Sequence, residues 1–282
     1  MLIVFIAASC KKSDNPRKEV MVKNITIENV LEAKPLVESG RFQNTGDVPV
    51  ILPDESISFQ FYAAPGQALS FVSMYGWSND LFFAPSNPGI QLYEMDGTPI
   101  EGDVSTFVKL WDNGTRINEA PGEMLVHPGM AEDTPKPVTE VVGVDEQGNM
   151  YAAASEMLKV NLKYEGNSMF TVSIENTSGN TDNPTPFSPG VWAISYIADG
   201  SLLNPSPLFE PMKLSTDDLT LLAETGDNSE LGIRVSNHTV IFTPFSPVLV
   251  VIYRDIENPL FKVGGSRSWS GIKRTSTDRR CF

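Results

Sequence analysis

Ser56-Ile57-Ser58-Phe59-Gln60-Phe61-Tyr62-Ala63 alternates polar and apolar side chains at every step. In extended backbone successive side chains point to opposite faces, so Ile57, Phe59 and Phe61 share one face and Ser58, Gln60 and Tyr62 the other. That is the pattern of a half-buried strand. Similar β-type runs occupy residues 24–30, 69–75, 90–93, 104–111, 158–164, 169–174, 191–197, 231–235, 239–243 and 248–253. Turn residues separate nearly all of them, which predicts an all-β, antiparallel β-sandwich. One segment departs from this period. Ser215-Thr216-Asp217-Asp218 precedes Leu219, Leu221, Leu222 and Ala223 and is followed by Gly226. A hydroxyl N-cap, an acidic first turn and a glycine stop predict a short helix there.

The whole composition agrees. With 282 residues, 41% of them hydrophobic, the chain can bury a sizeable core and is not a disordered polymer. Its length suits one large domain or two modules of about 130 residues each. Its 21 glycines and 21 prolines favour many short elements joined by turns over a helix bundle. A net charge of −14 repels phosphate backbones, which excludes nucleic acid as a partner and makes a cation the more natural one. Two His and two Cys do not furnish a Cys/His zinc site of the usual kind or a disulfide network, so any metal is a hard ion held by oxygen.

The N-terminus reads as an address. Residues 2–9 form an apolar run too short to span a bilayer, and it ends in Ala7-Ala8-Ser9-Cys10 before Lys11-Lys12. This segment resembles a bacterial lipoprotein signal: residues 1–9 would be cleaved, Cys10 would become the lipidated first residue, and 10–23 would form a polar tether. The alternative is a buried N-terminal strand. Lipidation implies a bacterial cell-envelope location, the outer membrane or cell surface by the residue that follows the cysteine, with membrane contact only through the anchor. Cys281 is then without a partner, in a basic polar tail at 266–282.

Two stretches repeat. Thr185-Pro186-Phe187-Ser188-Pro189 precedes an apolar strand and then Asn204-Pro205-Ser206-Pro207-Leu208-Phe209; Thr243-Pro244-Phe245-Ser246-Pro247 precedes another and then Asn258-Pro259-Leu260-Phe261. Ile25-Thr26-Ile27-Glu28-Asn29 likewise matches Thr171-Val172-Ser173-Ile174-Glu175-Asn176 as a strand beginning. An internal duplication explains both. The expected division is a module over 24–164, a second and incomplete one over 168–265, and a truncated or unstructured tail.

These blocks carry a resemblance. Phe187-Ser188-Pro189, a strand, a Leu-Phe pair and the capped helix ending Leu222-Ala223-Glu224-Thr225-Gly226-Asp227 resemble the opening half of a spondin N-terminal domain. Ser78-Asn79-Asp80-Leu81-Phe82-Phe83, residues 97–104, Leu110-Trp111-Asp112-Asn113-Gly114-Thr115 and Asn118-Glu119-Ala120-Pro121-Gly122 resemble its closing half in bacterial form. The resemblance implies a C2-like antiparallel sandwich, an adhesive role and a calcium ion held between loops. Matched to the family's acidic positions, Asp80 and Asp112 are the candidate metal ligands, with Asn118 or Glu119 as further oxygens. The third acidic position of the pattern is Arg116 here. A permanent cation opposes a divalent ion, and Arg116 could instead pair with Asp80 or Asp112 and staple the loops. Asp112-Asn113-Gly114 is also turn chemistry in its own right.

Catalytic constellations are weak. His127 and His238 have no positioned partner, no GxSxG motif is present, and no glycine-rich phosphate loop precedes a helix. Trp77, Trp111, Trp192 and Trp269 could stack on sugars, but most fall in strands or motif blocks and suit a core better. The expectation is a non-enzymatic binding or adhesion module, calcium-dependent if Asp80 and Asp112 hold the ion, whose partner is a surface glycan or an extracellular protein. The alternatives are an envelope polysaccharide-processing enzyme or its accessory carbohydrate-binding domain, and a subunit of a surface assembly completed by a partner's strand.

Overall fold

The computed structural model describes residues 23–26, 38–198, 201–202, 208–237 and 249–252. The strands, in chain order, are β1 (Lys23–Thr26), β2 (Ser39–Phe42), β3 (Ser56–Tyr62), β4 (Gln67–Met74), β5 (Leu81–Pro85), β6 (Ile90–Gln91), β7 (Gly102–Asp103), β8 (Val108–Asp112), β9 (Thr139–Glu140), β10 (Leu158–Gly166), β11 (Met169–Asn176), β12 (Gly190–Ala198), β13 (Ser201–Leu202) and β14 (Leu249–Ile252). The helices are α1 (Ala154–Met157), α2 (Asp217–Thr225) and α3 (Ser229–Asn237). The chain forms two compact units. One comprises Met1–Ala33 and Phe242–Phe282, where β1 pairs antiparallel with β14. The other, Lys34–Ile241, is an all-β sandwich.

In the sandwich one sheet runs β3-β11-β10-β7 and the other β13-β12-β4-β5-β8-β9, with β2 also on β12 and β6 on β4. Every pairing is antiparallel. The alternation at 56–63 does what its period requires: Phe59 lies opposite Val172 and Phe61 opposite Phe170 on β11. Across the layers Phe59 stacks on Trp192 of β12 at 5.1 Å between ring centres, which closes the two sheets on one another.

Strand β4 is buried along all eight residues. Alternation alone would leave one of its faces wet, but the larger sheet is covered on both sides. Leu69 and Phe71 join the inter-sheet core, whereas Val72 and Met74 pack in a second core with Leu219, Leu222 and Ala223 of α2 and Leu231 and Val235 of α3. The unit therefore has three layers: helices, sheet, sheet. Helix α2 stands where the sequence places it, with Asp217 and Asp218 in the first turn and Gly226 left-handed at the stop, φ 76°. Thr216 holds the N-cap position in extended backbone, but its side chain makes no capping hydrogen bond.

The strand expected over 231–235 is instead part of α3. Leu231 and Val235 are four apart and both buried, the spacing of one helix face, and Asp227 Oδ1 accepts the Ser229 N–H at 2.9 Å to start the turn. The run at 104–111 also splits. Asp103 Oδ1 accepts from Ser105 N at 2.9 Å and from its hydroxyl, winding 105–107 into a 3-10 turn before β8 begins.

The division at 164/168 is corrected as well. It falls inside the β10–β11 hairpin, where Tyr164 faces Phe170, and strands from both sides of it share each sheet: β3 pairs with β11, and β4 with β12. Residues 38–164 and 168–237 thus build one sandwich, while residues 23–26 belong to the other unit. The signal segment 1–9, Cys10, the tether short of β1, His238, the second Thr-Pro-Phe-Ser-Pro block, Trp269 and the tail 266–282 lie outside the described residues.

Phe187-Ser188-Pro189 acts as a junction. Phe187 exchanges two backbone hydrogen bonds with Ile51, each 2.9 Å, and Ser188 Oγ accepts the Met74 N–H at 2.9 Å. The motif thereby sets the register with which β12 enters the sheet beside β4.

Candidate functional site

Asp80 ends the turn before β5 and Asp112 closes β8. Because β5 and β8 are antiparallel neighbours with Leu81 opposite Asp112, the two acids meet at one end of the sandwich. Asn113 N donates to the Asp80 carbonyl at 3.3 Å. The sequence-derived ligands are therefore brought together.

Each acid is bound into its loop. Asp80 is wholly buried, 0% exposed, and its Oδ2 accepts from Thr115 N (2.8 Å), Thr115 Oγ1 (3.0 Å) and Arg116 N (2.9 Å). Its Oδ1 is buried with no hydrogen-bond partner. Asp112 Oδ1 accepts from Gly114 N at 2.7 Å, an Asx-type turn, and Oδ2 accepts from Asn118 Nδ2 at 2.6 Å. Gly114 is obligatory: its φ is +76°, and a Cβ there would stand 2.4 Å from the Lys136 carbonyl oxygen. The turn read from Asp112-Asn113-Gly114 is thus present.

Neighbouring loops close around this centre. Asn79 Oδ1 accepts from Glu119 N at 2.8 Å and its Nδ2 donates to Pro128 O at 3.3 Å, so one buried amide ties three segments. Ile117 N donates to Met130 O at 2.9 Å, and Asn149 Nδ2 to Asn118 O at 3.2 Å. Asn118 and Asn113 are buried, and the Oδ1 of each has no partner. Glu119 is exposed.

Arg116 does not staple Asp80 or Asp112 with its side chain. Its guanidinium pairs with Glu224 of α2, Nη2 to Oε2 2.7 Å, while Nη1 donates to Gly129 O at 3.4 Å. Only its backbone N–H reaches Asp80. Glu224 is the acid that sequence reasoning missed. It lies in the quoted helix motif, but nothing in linear order marks it as the partner of a residue 108 positions away. Thr115 links the two systems: its Oγ1 is 3.0 Å from Asp80 Oδ2 and 2.8 Å from Glu224 Oε1, and accepts from Asn113 Nδ2 at 2.9 Å. A hydroxyl has one proton, so Thr115 donates to one carboxylate at a time.

Electrostatics follow from the burial. Desolvation, with Asp112 nearby, pushes the Asp80 carboxyl up from 3.8 to about 7 against the opposing pull of the Thr115 and Arg116 hydrogen bonds. Burial raises Asp112 as well, although Gly114 and Asn118 pull it down. Two desolvated carboxyls thus lie close together, within reach of the charges of Arg116 and Lys136. Among the described residues no three Asp, Glu, His or Cys side chains gather as a metal cluster, so a cation here would draw on amide and backbone oxygens beside the two aspartates. Asp80 Oδ1, Asn113 Oδ1 and Asn118 Oδ1 are buried hard oxygens lacking a donor, and hard oxygens of this kind suit calcium.

A separate cavity of about 190 Å³ lies near the start of α2, lined by Val138, Phe209, Glu210, Lys213, Leu219 and Arg234 among others. Its one acidic lining residue is Glu210, and neither Asp80 nor Asp112 borders it. Trp111 and Trp192 are buried, and Trp111 Nε1 donates to Ala84 O at 3.0 Å, so both serve the core. His127 is an exposed loop residue whose imidazole is held below its ordinary pKa by partial desolvation. No helix among the described residues is long and apolar enough to cross a membrane.

Compared with family models, with curated proteins and with solved structures, the chain matches none.

Proposed function

We propose that the chain is a non-enzymatic binding or adhesion module whose loop end is braced by calcium, carried on a cell-envelope protein anchored by lipid at Cys10. The observation that carries the calcium assignment is Asp80: a wholly buried carboxyl whose Oδ2 is held by the Thr115 and Arg116 N–H groups and shares the Thr115 hydroxyl with Glu224, and whose Oδ1 has no donor. An unpaired buried acceptor costs about 1–3 kcal/mol, and a cation at Oδ1 would remove that penalty together with the repulsion from Asp112. Asp80, Asp112, Asn113 and Asn118 would hold it. The Arg116 guanidinium is turned to Glu224 and makes no hydrogen bond to Asp80 or Asp112, although its charge still acts on Asp80.

The binding role is supported by the form of the site. Loops converge on Asp80 and Asp112 around hydrogen-bonded turns, tied together through Asn79, Asn118 and Asn149. A surface glycan or an extracellular protein is the partner class in keeping with the envelope address.

Thermal unfolding with and without calcium tests the assignment. A ligand that binds the native state alone stabilises it by about 2.7 kcal/mol at a hundredfold excess over its Kd. Millimolar calcium should raise Tm, chelator should reverse the rise, and Asp80→Asn should abolish it. An unchanged Tm in calcium would refute the metal assignment.

A further inference from the structure

Six Met and Val side chains stand more than half exposed around the same loops: Met124, Val126 and Met130 on one, Val142, Val144 and Met150 on another. Met124 is 90% exposed and Met150 75%. The two loops flank one spot. Met130 gives its carbonyl to Ile117 N, and Asn149, next to Met150, binds the carbonyl of Asn118. Val144 bridges Met150 and Val142, bringing the second loop into register with itself. Apolar side chains scattered singly over a surface carry no message, but six gathered on converging loops do.

The surroundings select the partner. Residues 117–150 carry seven carboxylates against one lysine, Lys136, which is already engaged by Glu132 at 2.8 Å and Glu146 at 2.7 Å. Glu119, Glu123 and Asp133 are exposed on the same stretch of chain. An acidic rim repels an anionic leaflet and a second copy of this acidic chain, and attracts a cationic ligand. Methionine is flexible and polarisable, so it moulds to varied apolar side chains better than to a flat sugar face.

We infer that this loop surface docks a basic, amphipathic segment of another protein, with Met124, Met130 and Met150 covering its apolar residues and the carboxylate rim meeting its Lys or Arg. This rests on reading the loop end as the binding end, and it narrows the partner class to protein.

Fluorescence anisotropy on the intact chain tests it with three labelled synthetic peptides: an amphipathic Lys–Leu peptide, a Lys–Ser peptide of equal charge and a Glu–Leu peptide of equal apolarity. The Lys–Leu peptide should bind saturably and tighter than either control. Met124→Ser/Met130→Ser/Met150→Ser should weaken it about tenfold or more while leaving Tm unchanged, since all three side chains are exposed. Equal binding by wild type and the triple variant, or by the Glu–Leu peptide, would overturn the inference. So would cosedimentation with phosphatidylcholine vesicles, or self-association, lost in that variant. Running the titration in calcium and in chelator separates the two readings. Methionine-dependent binding with no calcium effect on Tm upholds the docking surface and removes the metal; a calcium effect without methionine-dependent binding does the reverse.

Discussion

Replacing Asp80 by Asn should flatten the pH dependence of stability in calcium-free buffer. The native carboxyl titrates at about 7 and the unfolded one near 3.8, so between those values the folded state binds the proton that the unfolded state has released. Stability from this group is complete below pH 4 and is lost as the pH rises through 7. The shift is about three units, and at about 1.4 kcal/mol each the loss approaches 4 kcal/mol. For a unit of this size that is roughly 8–16 °C in Tm. Asparagine keeps a carbonyl oxygen for the Thr115 and Arg116 N–H groups but carries no charge. The difference in Tm between Asp80→Asn and wild type should therefore grow in favour of the variant from pH 5 to pH 8. Taking the difference cancels His127, whose lowered pKa acts with the opposite sign, and leaves aside Asp103 and Asp218, whose lowered values place their transitions below pH 4. Scanning calorimetry at fixed ionic strength with chelator present is the assay. Parallel profiles for the two proteins would refute the argument that Asp80 is a strained, desolvated carboxyl.

Two further outcomes concern the frame around it. Gly114→Ala should destabilise by at least about 2 kcal/mol in urea unfolding, because it adds a Cβ at positive φ against the Lys136 carbonyl, whereas Gly97→Ala, also at positive φ but with open space around it, should be milder. Glu224→Gln should lower stability by about 1–3 kcal/mol by leaving the Arg116 guanidinium without its anion, and Arg116→Met combined with Glu224→Gln should recover part of the loss; strict additivity of the two single changes would show that the pair is not coupled.

What the sequence determined is whatever depends on near neighbours. The alternation at 56–63, the glycine stop at Gly226 and the Asp-Asn-Gly turn are local patterns, and β3, α2 and the Asp112 turn occur where they fall. The likeness of residues 25–29 to 172–176 was legible too, but likeness says nothing about partnership: β1 pairs with β14 in one unit, while β11 joins β3 and β10 in the sandwich of the other. Residues 231–235 show the limit of short windows: five residues with apolar ends fit either period, and the buried face beneath α3 chose the helix. The closeness of Asp80 and Asp112 could be anticipated from the motif blocks, whereas the Arg116–Glu224 ion pair, the burial that lifts the Asp80 carboxyl and the attachment of the Met130 and Asn149 loops to the neighbouring residues Ile117 and Asn118 could not. Backbone preference acts over a few residues along the chain. Burial, ion pairing and loop convergence depend on which surfaces the packed sheets and helices bring within reach, and that is set only when the tertiary structure forms.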